Sequence, residues 1–384
     1  MLLQLGFTIA ATLNSEVSAY PAGLWWPWSI AGALIVLAAG YAGVRTSARM
    51  GTILAVFEIV VFAIMAVLLI AHAGGHNTAA VFTTRYIPHG FRGLSGVVAG
   101  SVFTILAFGG FEGAAPLAEE ARNPRRTVQL AVLLATLSIG VFYVFTTYAA
   151  DVAFGPASFA TFSAAGSPSW EGLARSLYGL FWILVFLAIV NSTIANANAG
   201  VNVSSRTSFA MGRIRAFPSF LAALNKRHKS PVNAIVVGTV ISVAIMLGLG
   251  IHYTPEVAFG MVGTALVIVL AAVYILMNVA CIGFFARSSR RRFKVVSHLI
   301  VPVIGIAVFI PAWCSGAGIR IPGASFITPL TAPYSYMGPA VAVWMVLGVA
   351  YLIYLYLRDP RRVTDVGLVH IDTEPEATDR KVTA

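Results

Sequence analysis

Two carboxylates and a run of amides are the side chains best placed in this sequence to do chemistry. Glu112 stands in Phe108-Gly-Gly-Phe-Glu-Gly-Ala-Ala-Pro116, and the stretch leading into it from Ser101 is apolar enough to sit in a bilayer. Gly109, Gly110, Gly113 and Pro116 crowd into a few residues around that carboxylate. An ionisable group at mid-membrane depth is costly and marks a functional site by default. Broken helices survive there only where the freed backbone is buried in protein or lines a cavity. Freed carbonyls suit an ammonium or Na⁺, and a half-helix N-terminus suits a carboxylate. The rival reading is a glycine-rich packing face that lets helices approach closely. The carboxylate and the proline within the same turns favour the site. Glu112 itself has two open roles: a proton carrier, because burial disfavours the charged carboxylate, or a hydrogen-bonded group stapling the break.

Glu58 is the second carboxylate in an apolar setting, Ile53-Leu-Ala-Val-Phe-Glu-Ile-Val-Val-Phe62. Nothing polar surrounds it in sequence, so it must face the bundle interior and find a partner. An interhelical hydrogen bond and a role in ion coupling both remain open. Asn191, Asn198, Asn202 and Ser205 recur at spacings that return to one helical face. Such a polar stripe glues helices together or lines a path, and four residues on one face favour the path.

The elements that carry these groups are membrane spans. Of 384 residues, 58% are hydrophobic and only 10% charged, against about 25% charged in a globular domain. After residues 1–20, apolar spans of about 20 residues or more lie near 25–44, 52–72, 97–116, 129–150, 172–200, 232–250, 257–286, 296–316 and 336–357. Trp25, Trp26 and Trp28 head the first span, as interfacial anchors do, and Tyr351, Tyr354 and Tyr356 read likewise at the end of the last. The net charge of +11 does not imply nucleic acid, because the basic residues fall in short runs between spans. Arg and Lys distribute 21 to 4 between alternate loops, which puts the C-terminus in the cytoplasm. The tail 363–384 has little to bury and is expected to be disordered. Cys281 and Cys314 form no disulfide or metal pattern and read as packing residues. His72 and His76 lack a third metal ligand. No Walker loop, dinucleotide fingerprint, HExxH or nucleophile–base pair is present, so no enzyme, cofactor or metal site is expected. Met1 opens into an apolar run without a basic region, which argues against a signal peptide. Residues 1–20 read as part of a membrane helix.

Phe108-Gly-Gly-Phe-Glu112, followed by Glu119-Glu-Ala-Arg-Asn-Pro-Arg-Arg126, resembles helix 6 and its exit loop in the amino acid–polyamine–organocation (APC) superfamily of permeases. Tyr41-Ala-Gly-Val-Arg-Thr-Ser-Ala-Arg49 resembles the loop between helices 4 and 5, and Ser205-Arg-Thr-Ser-Phe-Ala-Met-Gly-Arg213 with Pro218 the exit from helix 8. The resemblance covers nearly the whole chain to about residue 360 and implies an all-α polytopic membrane fold with an inverted five-plus-five repeat. On that scheme the nine spans are helices 4 to 12. Residues 1–20 are the outer end of helix 3, and helices 1 and 2 lie outside this sequence, leaving the first repeat incomplete. Residues 21–362 then form one permease domain.

The resemblance further implies secondary transport of amino acids or related amines across the plasma membrane, coupled to protons or sodium or run by exchange. A truncated remnant or membrane interaction partner that does not transport is the alternative. Phe108, Gly109, Gly110 and Phe111 would seat the substrate amine, with Asn198 and Asn202 beside them. Asn191 and Ser205 would line a polar pathway. Glu112 matches a family glutamate implicated in proton linkage, and Glu58 falls where some relatives carry a lysine in helix 5. The sequence departs from the family at Arg213-Ile-Arg-Ala-Phe-Pro218, where Arg-Asp-Gly usually precedes the proline.

Overall fold

The computed structural model describes residues 1–360 apart from Ser18, Ala22, Gly43, 88–90, Arg92, 114–122, 163–168, Lys226 and 288–292, and apart from the side chains of 44–50, Pro124, Arg125 and Ala160. Pro116, Glu119, Glu120, the basic cluster 290–292 and the tail 363–384 therefore lie outside the described residues. Among the described residues the regular structure is helical, with no strand. The α-helices are α1 (Leu2–Glu16), α2 (Trp26–Ala42), α3 (Val44–Ala73), α4 (Leu94–Phe108), α5 (Pro124–Phe154), α6 (Ser169–Tyr178), α7 (Phe181–Arg213), α8 (Val232–His252), α9 (Pro255–Arg287), α10 (Val301–Gly316) and α11 (Met337–Arg358). Among the described residues, eight helical segments are long and apolar enough to cross a membrane, and the 17-residue α2 is a shorter apolar helix.

One expected span is corrected. The stretch 172–200 is two helices, because Gly179 adopts φ +55° and its N–H caps Arg175 O at 3.2 Å. A left-handed glycine is a standard helix stop. The crossing helix begins at Phe181 and runs unbroken to Arg213, so Asn191 to Ser205 lie within it. The short α6 packs on α7 instead of spanning.

Helix pairing concentrates on α9–α10, α3–α5 and α1–α2. The α1–α2 approach is close: a Cβ on Gly6 would stand 2.1 Å from Ser29 Oγ and 2.6 Å from Trp25 O. One core gathers Met65, Leu69, Ala149, Ala150, Ala174 and Val185 from α3, α5, α6 and α7. Trp170 closes it by meeting Phe62 and Phe162 edge-on, both at 5.3 Å. A second joins Leu3 and Ala10 of α1 to Trp25, Met246 and Ala258. Trp25 is only 6% exposed and fills the notch at Gly250, so it is a core residue and not the interfacial anchor expected of it. Trp26 and Trp28 do face outward. Tyr351 likewise does more than mark an interface: its hydroxyl donates to Ala216 O at 2.7 Å and ties α11 to the chain leaving α7. Large apolar side chains such as Val343, Trp344, Val346 and Leu347 of α11 face outward, a surface that hydrocarbon satisfies and water does not.

Candidate functional site

The break in α4 forms as its glycines dictate. The helix stops at Phe108, and the Gly109 N–H is shared between Ile105 O (3.0 Å) and Leu106 O (3.2 Å). Gly110 then adopts φ +127°, a region closed to residues with a Cβ. A tight turn follows, with Gly113 N–H donating to Gly110 O at 3.0 Å. Glu112 folds back into the gap it sits beside, accepting the Gly110 N–H on Oε2 at 3.0 Å. A carboxylate on a freed N–H is a charge-assisted bond, about twice as strong as a neutral one.

Three helices contact this turn, and a fourth packs behind Tyr274. Phe108 meets Tyr143 of α5 edge-on at 5.4 Å, and its ring lies 3.4 Å from where a Cβ on Gly140 would stand. Phe111 stacks at 5.7 Å on Tyr274 of α9, which in turn meets Phe309 of α10 at 5.3 Å. A Cβ on Gly109 would be 3.4 Å from Leu270 of α9, and one on Gly113 would be 3.2 Å from Val203 of α7. The Tyr274 hydroxyl is buried beside the Glu112 carboxyl. The break thus presents a carboxylate, a phenol and two aromatic faces within one packed volume.

Glu58 belongs to a separate cluster. Its Oε1 accepts a hydrogen bond from Asn191 Nδ2, joining α3 to α7, with Ser192 beside it. The same amide also reaches Leu54 O at 3.4 Å. Two residues singled out for different roles, one for coupling and one for a pathway, are therefore direct partners. Asn198 and Asn202 are half-buried further along α7. Ser205 is buried and donates to Asn202 O at 3.2 Å, a bond within its own helix. The link between this stripe and the break runs through Val203, next to Asn202, against Gly113.

Tyr143, Tyr274, Ser192 and Gly140 escaped the sequence reading. A polar-tipped aromatic within an apolar span is the signal that could have found the tyrosines, but nothing in the spacing ties either one to Glu112. His72 packs edge-on against Tyr178, and His76 lies against Ala73 O. Among the described residues no group of three or more His, Cys, Asp and Glu gathers.

This geometry can be set beside known proteins. An uncharacterized transporter of Mycobacterium tuberculosis is 28% identical over 246 residues, 62% of this chain and 53% of that protein. The low-affinity putrescine importer PlaP of Escherichia coli is 23% identical over 335 residues, 85% of this chain and 67% of the importer. The branched-chain amino acid permease BcaP of Bacillus subtilis is 23% identical over 193 residues, 50% of this chain and 39% of the permease. The chain spans about half the length of several curated relatives it matches. The model of the amino acid permease family matches residues 1–361, from α1 through the end of α11. With the broken α4 and its enclosing helices inside that match, the chain belongs to the amino acid permease family.

Proposed function

We propose that this protein is a secondary active transporter of amino acids or related amines, driven by a proton gradient or by exchange. The observation that carries the reading is the interruption of α4 at Gly109–Gly110, with Glu112 bonded to the backbone it frees. A substrate ammonium is drawn to the carbonyl end of the first half-helix, where the dipole is negative. Phe108 and Phe111 supply apolar faces on either side, and Asn198 and Asn202 supply polar contacts from α7. Glu112, which accepts the Gly110 N–H, is the first candidate for proton coupling. Glu58, held by Asn191, is the second candidate for coupling. Family membership and the names of the relatives, one a putrescine importer and one a branched-chain amino acid permease, support the substrate class. The charge asymmetry of the loops supports a plasma-membrane protein with a cytoplasmic C-terminus.

The test is uptake of labelled putrescine and labelled leucine into liposomes carrying the purified chain, with and without an imposed pH gradient. Accumulation above empty liposomes that is lost in Glu112→Ala is expected. Uptake no greater than in empty liposomes for both probes, or uptake indifferent to Glu112→Ala, refutes the proposal.

A further inference from the structure

The carbonyls on which a helix ends have no partner within the helix. At the end of α4, Ile105 O and Leu106 O share the Gly109 N–H. Ala107 O is different: it accepts a hydrogen bond from another helix, the Tyr143 hydroxyl of α5, at 2.9 Å. The next residue is held by the same side chain, because the Phe108 ring meets the Tyr143 ring edge-on at 5.4 Å. Gly140, one turn before Tyr143 and on the same face of α5, leaves the space that the Phe108 ring fills. Beyond the two glycines the grip passes to α9, where Phe111 stacks on Tyr274. Residues 107–108 are therefore fixed to α5 and residue 111 to α9, with Gly109 and Gly110 between. An unpaired backbone carbonyl and an unpaired phenol would each be costly in a bilayer. A phenylalanine at 143 would keep the edge-on contact with Phe108, so ring packing alone does not account for the hydroxyl.

We propose that Tyr143 is a positioning residue for the break: its hydroxyl and ring hold the end of the first half-helix so that the backbone of 109–111 stays presented to the substrate. This rests on the transporter reading above for its meaning but not for its test. The contact has consequences for both the backbone and the substrate. A net intramolecular hydrogen bond is about 0.5–1.5 kcal/mol, which corresponds to a change in local opening of up to about tenfold.

The experiment uses the full chain in lipid nanodiscs and compares wild type with Tyr143→Phe, which keeps the ring and deletes the donor. Backbone hydrogen exchange of the peptide covering 105–113 is expected to rise up to about tenfold, with peptides from the rest of α5 and from α9 unchanged. Unchanged exchange at 105–113 overturns the proposal. So does a uniform rise along α5, since that is what loss of ordinary packing does. Gly140→Leu provides a second route if Tyr143→Phe does not fold. It leaves the hydroxyl in place but crowds the Phe108 ring, and the same peptide should loosen. In liposomes, the half-saturation concentration for labelled putrescine should rise several-fold in Tyr143→Phe with the maximal rate retained. Loosened exchange with an unchanged half-saturation overturns the positioning role. Absence of uptake by wild type refutes the transporter reading and leaves the exchange result to decide whether Tyr143 holds the break.

Discussion

The pairing of Glu58 with Asn191 makes a prediction that can be worked through from the structure. The carboxylate sits in the apolar middle of α3 and is half-buried; its partner amide comes from α7. Hydrogen bonds to charged groups contribute about 1.5–3 kcal/mol in proteins generally. Interhelical side-chain bonds in a bilayer average about 0.6 and reach about 1.7 kcal/mol, because the unfolded chain also finds partners there. With charge assistance, and with Leu54 O as a weak alternative acceptor at 3.4 Å, a coupling of about 1–2 kcal/mol is expected. The perturbation is a double-mutant cycle of Glu58→Gln, Asn191→Leu and the double variant, followed by reversible unfolding in bicelles with increasing dodecyl sulfate. Asn191→Leu alone should cost most, about 2–3 kcal/mol, since it leaves a carboxylate at membrane depth with only Ser192 as a side-chain donor. The same change in the Glu58→Gln background should cost about 1 kcal/mol less, or better. Additivity within about 0.3–0.5 kcal/mol would refute the pairing.

Two further predictions concern the scaffold. A Cβ on Gly338, in the first turn of α11, would stand 2.1 Å from Ala317 O and 2.7 Å from its carbonyl carbon. Backbone cannot yield as a side chain can, so Gly338→Ala should destabilise the packing of α11 on the end of α10 by about 1–3 kcal/mol. A midpoint in the same bicelle titration equal to wild type would contradict this. Glu171, on α6 outside the spanning helices, is 4% exposed, and its Oε1 has no hydrogen-bond partner. Burial raises its pKa above the ordinary carboxylate value of 4.5, partly offset by a bond to its own backbone. A raised folded pKa means that the seated α6 holds the proton more tightly. Its contribution is fully present below pH 4.5 and is lost as pH rises through the raised value. Hydrogen exchange over 169–178, compared with Glu171→Gln at each pH to cancel the intrinsic chemistry, should show the wild type loosening as pH increases. Parallel profiles for the two proteins would sink the idea.

Sequence alone determined the class of this protein and the place where α4 fails. Apolar spans that exceed the thickness of a bilayer are a local property, and so are glycines clustered beside a carboxylate. Both were legible because no distant residue is needed to make a span hydrophobic or to let Gly110 adopt a positive φ. The family motif around Glu112 was legible for the same reason. Where two local signals competed, reading along the chain fell short. The stretch 172–200 is apolar enough to look like one span, and only the conformation of Gly179 shows that α6 ends before α7 begins.

Partnership was beyond the sequence. Glu58 and Asn191 lie 133 residues apart, and nothing along the chain pairs them until α3 and α7 pack. Tyr143 and Ala107 are 36 residues apart on helices that the sequence gives no reason to align. Trp25 had the composition of an interfacial anchor, and only the notch at Gly250 made it core. The physical reason is common to these cases. A bilayer does not separate helix faces by polarity as water does, so an apolar span carries little record of which side meets protein and which meets lipid. That choice is made by shape and by the few polar groups that must find one another, and both exist only in the packed bundle.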